Sequence, residues 1–196
     1  MARLPDPGQH ATPEVRSEME RMAAVRSHAD GRARLAEVYA AMFNNPDVAR
    51  AVGELGERLR FRGVLPDELR ETAILRFAAR RGLDYEWAHH VRPATQAGLP
   101  AAYIDALADT GVPAGLTRVQ HTVVLAVDHV ADGAEIPDDV QSVLVEAVGV
   151  AGVVELVALC GLYALMGYMC TAFGIGIEPG LPSPPWAEDT PTAEGP

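Results

Sequence analysis

Residues 67–93 read DELRETAILRFAARRGLDYEWAHHVRP, and this stretch predicts two amphipathic helices joined by a short turn. In its first half, Glu71, Ile74, Leu75 and Ala78 follow the i, i+3, i+4, i+7 spacing of a single helix face. Glu71 therefore lies on an apolar face, beyond the first turn in which a carboxylate would serve as a cap. Because an unpaired buried carboxylate is costly, this side chain must have a partner.

The second helix of the stretch begins near Asp84 and carries a glutamate and a histidine on one face. Glu86 and His90 are i, i+4 neighbours. The turn at Gly82 is short enough to fold the two helices antiparallel. Glu71 lies eleven residues before this glycine and His90 eight residues after it. We therefore expect Glu71 and His90 to meet across the hairpin.

Each of these three residues also has a purely structural explanation. A buried glutamate at position 71 can bond to backbone or to Arg, and Glu86 in a first turn can stabilise the helix dipole. His90 can be a core histidine satisfied by one of the glutamates. Together, two carboxylates and an imidazole in one partly buried space favour proton-transfer chemistry. His89 either faces solvent or joins the same pocket, and the sequence leaves both open.

The apolar spacing is helical along most of the chain, and no segment alternates as a strand does. The predicted helices lie at about 14–28, 32–44, 47–62, 67–81, 84–97, 101–109, 117–131, 137–148 and 151–175. The fold class is therefore all-α, a single-domain helical bundle. We divide the chain into an N-terminal extension with one helix (1–31), a helical domain (32–177) and a flexible, Pro-rich acidic tail (178–196), in which Trp186 is a candidate anchor.

The charge of the chain is unevenly distributed. The 196 residues carry a formal net charge of −11 at pH 7, and all 16 basic residues are Arg, of which Arg118 is the last. Without Lys, a Schiff-base mechanism and a Walker-type phosphate loop are excluded. The acidic balance favours neither nucleic acid nor an anionic membrane as partner.

Seven Arg side chains cluster in the middle of the chain and are interpreted as a solvated helix face, namely Arg58, Arg60, Arg62, Arg70, Arg76, Arg80 and Arg81. The alternative is that one or two of them steer an anionic substrate.

Two features of the C-terminal half bear on the location of the protein. The segment 156–177 carries no charge and is long enough to span a bilayer, but no Lys or Arg flanks it. We interpret it as a helix buried at the centre of the bundle or at a subunit interface. Cys160 and Cys170 lie ten residues apart in this helix, roughly 15 Å, too far to pair. Unpaired cysteines and an N-terminus without an apolar signal region predict a cytoplasmic protein.

The spacing Glu71-x11-Leu83-x2-Glu86-x3-His90 resembles the signature Glu-x11-Cys-x2-Cys-x3-His of alkylhydroperoxidase D-like proteins. The surrounding LRETAILRFAARRGLDYEWAHHV is similar to the carboxymuconolactone decarboxylase family, and the resemblance covers roughly residues 32–177. Leu83 and Glu86 stand at the two cysteine positions, and neither can cycle between thiolate, sulfenate and disulfide. We therefore expect no thiol peroxidase activity.

The resemblance implies a cofactor-free lyase of decarboxylase type that acts on a small oxygenated acid or lactone. The catalytic candidates are His90 as proton donor or oxyanion partner, Glu86 as its relay, and Glu71 as the group that holds the imidazole or serves as an acid. The candidates for substrate binding are Tyr85, Trp87, His89 and Arg92, with Arg92 facing a substrate carboxylate. We expect neither a metal nor a cofactor.

Other functions remain compatible with the same residues. An isomerase, a dehydratase or a cyclase would use the same proton-transfer groups, and a non-catalytic binding protein would use none of them. A metal held by Glu71, Glu86 and His90 is a further alternative. The resemblance also implies a homo-oligomer, either a dimer, a trimer or a hexamer.

Overall fold

The computed structural model describes residues 3–25, 35–109 and 111–189. Over these residues the chain forms eight α-helices and no β-strand, which confirms the predicted all-α class. The chain divides into two compact units, Met1–Arg62 with Tyr168–Glu178, and Gly63–Gly167 with Pro179–Pro196. We call them the first and the second unit. The division at residues 31 and 177 rests on sequence composition and stays a prediction.

The first unit contains α1 (Pro13–Val25), α2 (Glu37–Met42) and α3 (Pro46–Phe61). The sequence predicts that α2 begins at about residue 32. This start is wrong: Ala36 is still extended (φ −58°, ψ 145°), and the helix begins at Glu37. The start of α3 follows its sequence signal, since the Asn45 side chain accepts a hydrogen bond from the Val48 amide and proline follows at the first helical position.

The second unit begins with the predicted hairpin of α4 (Asp67–Arg81) and α5 (Asp84–Gln96), followed by α6 (Ala101–Ala106) and α7 (Arg118–Ala131). Gly82 ends α4 in the left-handed conformation (φ 60°, ψ 43°), which glycine adopts without a Cβ clash. The Leu83 amide then bonds to the Ala78 carbonyl at 2.9 Å and closes the turn. As a result α5 packs against α4, whose other side packs against α7.

The core of the second unit is an apolar cluster built from these four helices and the loops beside them. Its buried members are Leu75, Ala78, Trp87, Ala94, Leu99, Ile104, Leu107 and Val124.

Trp186, from the tail, packs against this cluster, and its indole Nε1 donates a hydrogen bond of 2.6 Å to Asp84. The sequence predicts a flexible tail with Trp186 as a candidate anchor, and Trp186 lies on α5 of its own chain, because the indole offers both an apolar ring and a donor. Residues 190–196 lie outside the described part.

The helix α8 (Asp138–Phe173) is interrupted at Gly149, whose φ of 71° and ψ of 169° are not helical. This break confirms the two helices predicted on either side of it. Glu155 is a charged residue in an otherwise apolar part of α8, and its Oε2 accepts hydrogen bonds from the amides of Val64 (2.7 Å) and Leu65 (3.2 Å). The carboxylate thereby holds the segment that leads into α4.

Within the described residues, α8 is the one helix long and apolar enough to cross a membrane, with a mean hydropathy of 2.3 in its most apolar window, of which 28% is buried. Val150 is 68% exposed, Val154 63% and Val157 42%. These residues recur every three or four positions and form one face, which we call the α8 face together with Gly161. Within the predicted segment 156–177, Leu156, Leu159 and Leu162 are buried whereas Val157 is exposed, and the subunit interface that the sequence offers for such a face stays a prediction.

Candidate active site

His90 lies at the centre of a buried hydrogen-bonded chain that joins three helices of the second unit. Its Nδ1 is 2.7 Å from Glu71 Oε2, and its Nε2 is 2.9 Å from the hydroxyl of Tyr163. The His90 side chain comes from α5, Glu71 from α4 and Tyr163 from α8. All three are buried. The contact predicted between Glu71 and His90 across the hairpin is thus present.

Glu71 is engaged through both of its oxygens. While Oε2 faces the imidazole, Oε1 accepts a hydrogen bond of 3.2 Å from Arg70 Nε. Arg70 in turn donates to Asp67 at 2.8 Å, so the guanidinium is itself held in place. This arrangement places positive charge beside a carboxylate that is 1% exposed, and electrostatic interactions are strong in such a dry environment.

The partners of the imidazole decide which nitrogen carries the hydrogen. An ionised Glu71 can only accept, so we assign the hydrogen to Nδ1, which donates to Oε2. Nε2 of the neutral ring is then an acceptor, and the Tyr163 hydroxyl donates to it. The rings of His90 and Tyr163 meet edge to face, with centroids 4.9 Å apart and planes at 87°. Both ring nitrogens are therefore engaged within this chain.

Glu86 lies one helical turn before His90 and is 2% exposed. A glutamate that only stabilises a helix dipole has no need of such burial, because the interaction acts equally at an exposed helix end. The structure thus places Glu86 on the buried side of α5 with His90, as the spacing predicts. Its role as a relay stays a prediction.

Of the four predicted substrate-binding residues, Tyr85 and His89 form a pair of their own. Their rings lie 4.3 Å apart at 31°, with Tyr85 buried and His89 half-buried. These two residues are also i, i+4 neighbours, but their face of α5 is displaced by one residue, about 100°, from the face of Glu86 and His90.

Trp87 and Arg92 occupy different surroundings on α5, one in the core and one at the surface. Trp87 is a core residue that packs against Trp186, with ring centroids 5.0 Å apart. Arg92 is exposed and lies two residues beyond His90, about 200° around the helix. Helix geometry therefore turns the Arg92 side chain away from the hydrogen-bonded chain, whereas Trp87, three residues before His90, lies about 60° from it around the helix.

Tyr163 is the member of the site that sequence reasoning missed. It lies 73 positions after His90, within a segment that composition marks only as apolar. The available signal was its hydroxyl, because a tyrosine buried in a charge-free helix needs a hydrogen-bond partner. Nothing in the local pattern identifies that partner.

The cysteines do not supply a reactive thiolate to this site. Cys160 and Cys170 are both buried and form no disulfide with each other, which confirms the prediction from their spacing. Burial raises the pKa of the Cys160 thiol to about 12, so the thiol stays protonated near neutral pH.

Leu83, at the first cysteine position of the signature, is a packing residue. It lies against α8 at Gly167, where an added Cβ would come 2.5 Å from Leu83 Cδ2. The absence of a side chain at Gly167 therefore makes room for the leucine. Where a thiol of the signature would stand, this chain has an apolar contact between the hairpin and α8.

No group of three or more His, Cys, Asp or Glu side chains in the described ranges is arranged to hold a metal ion.

The first unit contains a separate polar cleft of about 480 Å³, lined by Glu18, Arg21, Arg50, Glu54, Glu57 and Arg62. Arg21 bonds to Glu18 at 2.7 Å and to Glu57 at 3.0 Å. Both hydrogen bonds raise the pKa of the Arg21 guanidinium. The bond that Arg21 donates to Glu18 lowers the pKa of the Glu18 carboxyl. The cleft is therefore an ion-pair network with balanced charge.

Comparison with known proteins finds a family model that matches part of the chain and solved structures that share its fold. Residues 46–128 match the model of the carboxymuconolactone decarboxylase family, a segment that includes Glu71, Glu86 and His90 and ends before Tyr163. No curated protein matches the chain in sequence.

Two crystal structures of the debrominase Bmp8 share the fold. A cysteine-to-alanine variant in complex with 2,3,4-tribromopyrrole has a TM-score of 0.70 and 15% identity, over 86% of this chain and 90% of that one. The apo enzyme has a TM-score of 0.68 and 17% identity, over 84% and 89%. These likenesses confirm the alkylhydroperoxidase D-like fold.

Proposed function

We propose that this protein, whose residues 46–128 match the model of the carboxymuconolactone decarboxylase family, is a decarboxylase-like lyase that works by general acid–base proton transfer, without a cofactor, on a small oxygenated acid or lactone. The observation that carries the proposal is the buried contact of 2.7 Å between Glu71 and His90. A carboxylate that orients an imidazole and stabilises its protonated form is a recurrent acid–base device.

The proposed reaction requires little beyond proton transfer and stabilisation of charge. The bond between the substrate and its carboxylate breaks, CO₂ leaves, and the electron pair remains on a carbon conjugated to a carbonyl group. The resulting oxyanion needs a hydrogen-bond donor, and the carbon then takes up a proton. A protonated His90 held by Glu71 supplies both the charge and the proton.

The same pair also fits an isomerase, a dehydratase or a cyclase, which differ in the bond that breaks and not in the groups that move the proton. Bmp8, whose structure includes a bromopyrrole, supports a small molecule as the substrate of this fold. This chain differs from a thiol-based enzyme because Leu83 and Glu86 occupy the cysteine positions. The non-catalytic alternative is a binding protein in which Glu71 and His90 are structural.

The test is a screen of small keto acids and lactones against the wild type, His90→Gln and Glu71→Gln. We expect each variant to lose about 10²- to 10⁴-fold in kcat, the usual contribution of a positioned acid or base. His121→Gln is the matched control, since His121 is an exposed histidine on α7 and its loss should leave turnover unchanged.

Circular dichroism and thermal unfolding show whether the variants keep the fold. Turnover retained by folded His90→Gln would refute an acid–base role for the pair. The enzyme proposal fails as a whole under two joint conditions. The wild type converts none of the compounds, and every compound that it binds is bound by His90→Gln as well.

We also propose that the α8 face is covered by a second copy of this chain, so that the protein is a homo-oligomer. The face consists of Val150, Val154, Val157 and Gly161 and carries no charge. In a chain with a net charge of −11, a charge-free face is the surface on which two copies meet without mutual repulsion. An anionic membrane fits the face less well, because no basic residue follows Arg118.

A further inference from the structure

Glu71 and Tyr163 bond to the two ring nitrogens of His90, and we propose that Tyr163 is the group through which His90 exchanges protons with the substrate. The proposal rests on the proposed acid–base function and assigns a residue outside the matched family segment. Its basis is the geometry of the imidazole, whose Nδ1 is engaged by Glu71 at 2.7 Å and whose Nε2 is engaged by Tyr163 at 2.9 Å.

With both ring nitrogens occupied, His90 has two ways to reach a substrate. Either a ring nitrogen exchanges its present partner for the substrate, or the proton passes through the partner. Glu71 is held from its other side by Arg70, so the Nδ1 contact is fixed. Tyr163 carries a hydroxyl, which can donate and accept at the same time, whereas an ionised carboxylate can only accept. Tyr163 is therefore the partner that can pass a proton onward.

In the proposed step, protons move between the Tyr163 hydroxyl and the His90 imidazole, and the Glu71 carboxylate stabilises the imidazolium. In the basic direction, the Tyr163 oxygen takes a proton from the substrate as its own proton moves to Nε2, which leaves a neutral tyrosine and an imidazolium beside Glu71. In the acidic direction, Nε2–H returns its proton to the tyrosine oxygen as the phenol proton moves to the substrate carbon. No oxidant, reductant or further reactant is needed in either direction.

The surroundings of Tyr163 support this role over simple packing. The charge-free segment 156–177 provides no carboxylate or basic side chain that would give the hydroxyl another acid–base partner on its own helix. The neighbouring Cys160, one turn earlier, stays protonated because burial raises its pKa to about 12. His90, whose Nε2 lies 2.9 Å from the hydroxyl, is a group with which Tyr163 can exchange a proton.

The test compares Tyr163→Phe with Tyr103→Phe on whichever compound the wild type converts. Tyr103 is a matched control because its hydroxyl also makes a part-buried hydrogen bond, 3.2 Å to Thr72, in the same unit and without contact to the His90 chain. We expect Tyr163→Phe to lose about 100-fold in kcat with KM nearly unchanged, and to change the pH dependence of kcat. Tyr103→Phe should change neither.

Two outcomes separate this inference from the proposed function. If His90→Gln abolishes turnover while folded Tyr163→Phe keeps it, the tyrosine role is wrong and the acid–base function stands. If neither variant loses turnover, both are wrong. Should Tyr163→Phe fail to fold, 3-fluorotyrosine at position 163 keeps the hydroxyl but makes it more acidic. A relay then predicts a shift of the pH profile of kcat to lower pH, and an unchanged profile would overturn it.

Discussion

Arg76 shows that the structural role of a charged residue depends on whether its side chain is buried or exposed. Its guanidinium is fully buried, with Nε and Nη2 donating to the two carboxylate oxygens of Asp128 at 2.6 and 2.7 Å. Nη1 donates to the carbonyls of Leu107 and Asp109 at 3.1 and 2.6 Å. The interpretation of the Arg cluster as a solvated face is therefore wrong for Arg76, which ties α4 to α7 and to the segment after α6.

We expect Arg76→Ala to lower the free energy of unfolding by about 3–5 kcal/mol, because it leaves a part-buried carboxylate and two carbonyls without their donor. Arg50→Ala is the control, since its pairing with Asp47 is on the surface, with side-chain exposures of 42% and 92%. A change below about 1 kcal/mol is expected there. Urea unfolding measures both, and equal losses would contradict the distinction.

The residues of the site differ in how far the sequence could predict them. Glu71 and His90 lie on one hairpin, so counting residues on either side of Gly82 was enough to predict their contact. Tyr163 reaches the same imidazole from α8, and no spacing within the chain encodes that approach. Arg92 is predicted to face the substrate, but it lies about 200° around the helix from His90 and is exposed, whereas Trp87 flanks the face of His90 and packs in the core.

At the scale of the element, α8 contains one residue, Gly149, whose backbone conformation is not helical. The residues before and after Gly149 are helical, whereas Gly149 itself has a φ of 71° and a ψ of 169°. This combination is essentially restricted to glycine. A side chain at position 149 would meet open space, so any cost of substitution comes from the backbone alone.

Gly149→Ala is therefore expected to lower the free energy of unfolding by about 1–3 kcal/mol. Gly176→Ala is a close control, because an added Cβ there also meets nothing within 4 Å while its φ is not in the left-handed region. That substitution should be neutral or stabilise by up to about 1 kcal/mol. Thermal or urea unfolding of the two variants provides the comparison, and a neutral Gly149→Ala would disprove the strain argument.

The helices were easier to predict than their ends. The break in α8 and the turn at Gly82 both follow from glycine, whose conformational freedom is visible in the sequence. The late start of α2 does not follow from propensity, since Ala36 is a good helix former and is nevertheless extended.

For the whole molecule, the distribution of charge and the α8 face lead to a prediction about assembly. We expect the wild type to sediment as a homo-oligomer and Val154→Glu to sediment as a monomer, because the substitution places a charge at the middle of a face that is otherwise apolar. Leu55→Glu is the control, as Leu55 is 43% exposed on α3, outside the face. Light scattering after gel filtration gives the masses.

Salt provides a second measurement of the same association. With a net charge of −11 on each copy, screening should strengthen self-association as ionic strength rises. A wild type that is monomeric at all concentrations would rule out the second copy. Binding to liposomes that Val154→Glu abolishes would assign the α8 face to a membrane instead.

The docked tail also gives the protein an optical signal of its own. Trp87 and Trp186 are the two tryptophans of the chain, and they lie edge to face with their centroids 5.0 Å apart. All tryptophan emission therefore originates from one place, where the tail lies on α5 near the buried hairpin that holds His90. Lifting the tail would expose both indoles to water at once, and the fluorescence of the unlabelled protein would record it in real time.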